Sequence, residues 1–92
     1  MGKYTVILAP KAKKHFREIY RSGSKTTIRK TEKLVLELSE HPYTGTGKVK
    51  QLRGVQGIWS RRIDKKNRLL YMVKEEDAVV LILSVIGHYD DI

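Results

Sequence analysis

Residues 78–86, AVVLILSVI, carry one polar side chain in nine, and more than half of the nine are β-branched Val or Ile. The run is far short of the ~18 apolar residues that cross a bilayer, and branching at Cβ suits a pleated strand better than a helix. A strand without polar alternation has no face to give to water. It therefore reads as the central strand of a sheet, buried on both sides. The whole chain is 92 residues long, which is one domain's worth and leaves no room for a second core, so residues 1–92 form a single domain built around this strand.

The segments upstream supply its partners. KYTVILA at 3–9 alternates and is rich in β-branched residues, and predicts a strand. Pro10 stops it and opens a helix, because the first helical position has an unpaired N–H in any case. Ala12, Phe16, Ile19 and Tyr20 recur at helical spacing until Gly23. A second helix starts at Ser24, with Ile28, Thr31, Val35 and Leu38 along one face, and closes at His41-Pro42. HPYTGTGK then reads as an exposed loop, Lys50–Arg53 as a short strand and Gly54–Gly57 as a turn. IWSRRI at 58–63 and RLLYMV at 68–73 are further strands, joined by the polar links DKKN and KEED. The expected fold is α+β, of order β-α-α-β-β-β(-β): a curved antiparallel sheet with both helices packed on one face.

Period-two alternation places Ser60 and Arg62 on one face of their strand, and Trp59, Arg61 and Ile63 on the other. Arg62 and Arg68 share a face of the hairpin only if the connecting loop has an odd number of residues. A loop of Asp64, Lys65 and Lys66 meets that condition.

Charge narrows the chemistry. The chain has 19 Lys and Arg against 10 Asp and Glu, a formal charge of +9, which favours a polyanionic partner. The excess is uneven: residues 41–73 hold eight Lys or Arg against Asp64 alone, whereas 74–92 are net acidic. Cysteine is absent, which excludes disulfide frameworks, zinc knuckles, thiol catalysis and iron–sulfur clusters. Residues 1–3 lead straight into a strand rather than a signal peptide, so a cytoplasmic protein without a membrane partner is expected. No Gly-rich phosphate loop, metal-binding trio or apolar carboxylate pair is present, and no cofactor is expected.

What remains is Lys48, Lys50, Arg53, Arg61, Arg62, Arg68, His88 and Tyr89, a set without carboxylates that suits phosphoryl chemistry on a polyanion. Arginine forks hold phosphate oxygens and stabilise a five-coordinate transition state. Histidine moves protons near neutrality, and tyrosine stacks on a base or holds an oxygen. Each has a plainer reading. Arg62 alone is an ordinary exposed strand residue, Arg68 follows a turn, His88 beyond a buried strand caps it or faces solvent, and Tyr71 belongs to the core. Composition and spacing reach only a basic α+β domain that binds nucleic acid.

Three motifs add to this. HPYTGTGK-x-x-x-L-[RK], then G-x-WSRRI-x-x-x-x-RLLY, then a terminal GHY resemble the YoeB/Txe group of the RelE superfamily of bacterial toxins, in detail from about residue 35 to 89. The resemblance implies a ribosome-dependent endoribonuclease of a type II toxin–antitoxin system that cuts messenger RNA in the A site without a metal. The ribose 2′-OH attacks the adjacent phosphate, giving a 2′,3′-cyclic phosphate and a 5′-OH. By position, Arg62 resembles the transition-state arginine and Arg68 the second phosphate-binding arginine. His88 resembles the general acid, with Tyr89 beside it as a stacking or positioning residue, and Arg53 replaces a family lysine that contacts phosphate. Arg61, Lys65 and Lys66, with Lys48, complete the expected RNA-binding surface. Lys50 stands where YoeB-like members have a glutamate general base. Lys48 and Lys50 instead reproduce the spacing of the lysine pair in the RelE branch.

The partners implied are a cognate antitoxin covering the basic surface, the 70S ribosome with its mRNA, and a second copy of the chain, since homodimers are common in the group; Trp59 and the exposed part of the first strand read equally as dimer contacts or as core. Two alternatives stay open. One is a binding-only toxin of the same fold, as in the ParE branch that poisons DNA gyrase, or a catalytically weakened member, in either case because the glutamate is missing. The other is a general nucleic-acid-binding domain using the helix hairpin around Gly23.

Overall fold

The computed structural model describes residues 3–54 and 56–86. Five strands and two helices follow in the order β1 (Thr5–Leu8), α1 (Pro10–Ser22), α2 (Lys25–Leu38), β2 (Lys50–Gln51), β3 (Trp59–Arg62), β4 (Arg68–Lys74) and β5 (Val79–Ile86), with a 3₁₀ turn at Glu75–Asp77. The elements sit where the sequence puts them, with ends shifted by one or two residues. At the start of β5 the reason is local. Ala78 closes the 3₁₀ turn in the left-handed region, at φ 51°, and cannot belong to the strand.

Pro10 occupies the first turn of α1. Gly23 ends it through close approach rather than a positive φ: a Cβ there would lie 2.5 Å from the Ile19 carbonyl oxygen, to which the Gly23 N–H donates at 2.8 Å. Ser24 caps α2 by accepting from the Thr27 N–H at 3.1 Å.

The sheet order is β1-β5-β4-β3-β2. From β2 to β5 it is an antiparallel meander, but β1 pairs parallel to β5, Thr5 to Val79 through Leu8 to Ile82. The sheet is therefore mixed, which corrects the all-antiparallel expectation. Short polar links force antiparallel neighbours among β2–β5. No hairpin constrains β1, which is separated from β2 by both helices and closes over the outer edge of β5. That placement also puts β4, not β5, at the centre, while β5 remains an interior strand flanked on both sides.

Both helices cover one face. Ala12, Phe16 and Ile19 of α1 and Leu34 and Leu38 of α2 bury against Ile63, Leu69, Tyr71, Val80, Ile82 and Val85. Cross-strand partners share a face, so the opposite, helix-free face carries Lys50, Ser60, Arg62, Arg68, Leu70 and Ser84. No helix among the described residues is long and apolar enough to cross a membrane.

Candidate nucleic-acid interface

Arg62 and Arg68 are direct cross-strand partners. The hairpin closes with Ile63 N–H donating to the Asn67 carbonyl at 2.9 Å, which leaves the three-residue loop Asp64, Lys65, Lys66. The odd count puts both arginines on the helix-free face, as the alternation argument requires. Asp64 builds this turn. Its Oδ1 accepts from the N–H groups of Lys66 at 2.9 Å and Asn67 at 2.7 Å, and its Oδ2 from Thr27 Oγ1 at 3.1 Å. Burial opposes the charge on Asp64, but these bonds outweigh it and hold the carboxyl below its ordinary range.

Lys50 pairs with Ser60, one step along the same face from Arg62. Lys50 is exposed and Arg62 half-buried, whereas Arg68 is only 2% exposed. Arg68 therefore offers little open surface for direct contact. Lys65 and Lys66 are exposed in the turn beyond Arg62, and Arg53 is exposed in the turn before Trp59. The basic side chains thus flank β3 at its two ends. Lys48 is exposed with φ 52° in the loop running into β2. His88 and Tyr89 lie outside the described residues.

Arg61 is not part of this surface, which corrects its expected RNA-binding role. It lies on the helix side of β3, fully buried. Its Nη1 donates to Glu37 Oε1 at 3.0 Å and to the Thr46 carbonyl at 3.4 Å. Its Nη2 donates to the carbonyls of His41 and, at 2.6 Å, Thr44. Nε reaches the Tyr71 hydroxyl at 3.4 Å, which in turn donates to the Pro42 carbonyl at 2.5 Å. A guanidinium with five fixed donors is well matched to several carbonyls converging from one loop. Glu37 completes the arrangement: Oε1 accepts from the Thr46 N–H and Oε2 from Thr46 Oγ1, each at 2.8 Å. Burial again works against the carboxylate, and the Thr46 bonds with the charges of Arg61 and Lys33 hold Glu37 below its ordinary value.

This clamp explains the glycines of HPYTGTGK. A Cβ at Gly45 would lie 2.5 Å from Glu37 Oε1 and 3.0 Å from Arg61 Nη1, and one at Gly47 would lie 2.7 Å from the Arg62 carbonyl oxygen. The Gly47 carbonyl accepts the Arg62 N–H at 2.5 Å, so the loop that Arg61 organises is stitched to the backbone of Arg62. The far side of the loop is held by Tyr43, which meets the Trp59 ring edge-on at 5.2 Å and donates to Glu75, as does Tyr4 at 2.9 Å. Burial, then the bond to Glu75, push the Tyr43 phenol up to about 12. The Arg61–Glu37 pair is the feature that the sequence reading missed. A partial signal for the burial of Arg61 was present, because it shares its face with Trp59 and Ile63, whereas Arg62 lies with Ile58 and the polar Ser60.

A five-stranded mixed sheet with a helix pair on one face matches the fold of RelE- and YoeB-type toxins of known structure. A family model described as the YoeB-like toxin of bacterial type II toxin–antitoxin systems matches residues 11–89, and the chain belongs to that family. It is 34% identical over 61 residues to Toxin YoeB of Mycobacterium bovis, covering 65% of this chain and 72% of that protein. Among solved structures it is similar to a YoeB dimer from Staphylococcus aureus, with TM-score 0.81 and 26% identity over 95% of this chain and 99% of the other. A YoeB–YefM complex from the same organism gives TM-score 0.77 and 26% identity over 94% and 98%.

Proposed function

We propose that this toxin is a ribosome-dependent endoribonuclease that cleaves mRNA in the A site with its own side chains. The observation that carries the reading is the placement of Arg62, Arg68 and Lys50 on one helix-free face, with no carboxylate among those three to repel a phosphate. In the proposed reaction the ribose O2′ bonds to phosphorus as the P–O5′ bond breaks. The 2′-OH proton passes to the residue at position 50, and His88 protonates the departing O5′. The extra negative charge on the five-coordinate phosphorus falls to Arg62, with Arg68 behind it. Such charge stabilisation is commonly the largest catalytic contribution. Lys48 adds to the positive charge that draws the substrate phosphate to this face. Arg53, Lys65 and Lys66 neutralise backbone phosphates on either side, and Tyr89 stacks on or orients the base.

The same reading supplies partners and place. An antitoxin segment that covers Arg62 and Lys50 would silence the toxin, as a coupled-folding acidic or amphipathic peptide can. A second copy of the chain forms the dimer, and the work is done in the cytoplasm, on the 70S ribosome.

The test uses purified toxin, ribosomes programmed with a defined message, and mapping of the new RNA ends. The expected result is cleavage within the A-site codon, leaving 5′-OH and cyclic-phosphate ends that disappear in Arg62→Ala. Ribosome binding without cleavage would reject the catalytic reading, and gyrase-dependent DNA breaks with intact translation would replace it.

A further inference from the structure

β1 covers the outer edge of β5 only as far as Ile82, where the Ala9 N–H donates to the Ile82 carbonyl at 2.9 Å. Beyond that point β5 continues for four residues, and none of the described residues forms a strand on that side. The Val85 N–H there donates at 2.9 Å to His15 Nδ1, on the face of α1 that packs on the sheet. We propose that His15 is a positioning residue of the site: its imidazole takes the place of the missing strand and fixes the end of β5 against which Arg68 is registered.

The chain of contacts is short. Val85 pairs with Leu69 and Ile86 with Arg68, so the segment anchored by His15 is the one that backs Arg68 on the side away from Arg62. Val85 is nearly buried, and a buried backbone N–H needs an acceptor. On this side α1 offers the imidazole as that acceptor. The bond uses the lone pair of Nδ1, which sets the proton of the neutral ring on Nε2. His15 and Val85 both line a polar cleft with Glu18, Asp64 and Lys66.

The consequence for cleavage rests on the ribonuclease reading; the anchoring of β5 does not. His15→Asn and His15→Leu form an isosteric pair that differs in whether an acceptor stands at the place of Nδ1. Both variants are measured for exchange of the Val85 amide and for kcat and KM on programmed ribosomes. His15→Asn is expected to keep the amide protected and kcat within about twofold of the parent. His15→Leu is expected to speed exchange at Val85 and lower kcat about tenfold with KM unchanged, as a displaced but intact catalytic group does. Unchanged protection in His15→Leu would overturn the anchor. Lost protection with unchanged kcat, or equal loss in both variants, would overturn the positioning role. If the parent toxin cleaves nothing, the ribonuclease reading and the positioning role fall together, while amide exchange still decides the anchor.

Discussion

Arg61 and Arg62 are neighbours in the chain, and β3 sends their guanidinium groups to opposite faces of the sheet. Arg61 is locked beneath the 41–49 loop against Glu37 at 3.0 Å; Arg62 stands beside Arg68 on the helix-free face. The two should therefore fail in different ways. Arg61→Met is expected to lower unfolding free energy by about 3 kcal/mol, the lower end for breaking a buried ion pair, because Glu37 keeps some contact with water. Arg62→Met is expected to change stability by less than ~1 kcal/mol while lowering the cleavage rate ~10²–10³-fold. Urea unfolding alongside the programmed-ribosome assay checks both, and a folded Arg62→Met variant with full activity would reject the assignment of that residue.

This pair also marks how far the sequence could be read. Alternation separated Arg61 from Arg62 and, through the odd loop, joined Arg62 to Arg68. It did not say which face the helices cover, because IWSRRI puts an isoleucine on each face, Ile58 with Arg62 and Ile63 with Arg61. The clamp with Glu37 is a contact across 24 residues, and nothing local in LELSE announces it. The strand order failed for a different reason. Hairpin links specify neighbours, whereas the two-helix connection after β1 leaves its direction to tertiary packing against β5. The elements themselves were legible, since Pro10, Gly23, Ser24 and the β-branched runs each act through local backbone chemistry.

Acid should loosen the loop and the turn together. Glu37 and Asp64 are both held below their ordinary values, 4.5 and 3.8. A depressed carboxyl contributes stability that is present above its unfolded value and is lost as pH falls through its folded value. Unfolding free energy is therefore expected to hold from neutrality to about pH 5 and to decline below it. Glu37→Gln, which keeps the shape and removes the titration, should be less stable at pH 7 and show a shallower decline. A decline of equal steepness in that variant would refute the role given to Glu37.

The glycines of the loop allow strain and contact to be separated. Gly47 and Gly54 both have positive φ, 94° and 78°, but a Cβ at Gly47 would press on the Arg62 backbone and one at Gly54 would meet nothing within 4 Å. Gly54→Ala is expected to lose about 1 kcal/mol from backbone conformation alone and to cleave normally. Gly47→Ala should lose more and should slow cleavage as well, because the displaced loop pulls on the Arg62 N–H and on Lys50. Equal effects in the two variants would argue against coupling between the loop and Arg62.

Position 50 carries the sharpest prediction. Lys50 sits across from Ser60, one step along the helix-free face from Arg62, and the proposed reaction makes the residue at 50 the general base. If the residue at 50 takes the 2′-OH proton, Lys50→Ala should lower the rate by ~10²-fold or more. Lys50→Glu should recover much of that loss, since a carboxylate beside Arg62 and Arg68 is ionised at neutral pH. The pH profiles should differ. Ammonium and carboxyl groups lose their protons over different pH ranges, so the profile should change shape when glutamate replaces lysine. Single-turnover cleavage from pH 5 to 9 distinguishes the two, and profiles of the same shape for Lys50 and Lys50→Glu would mean that the proton leaves by another group.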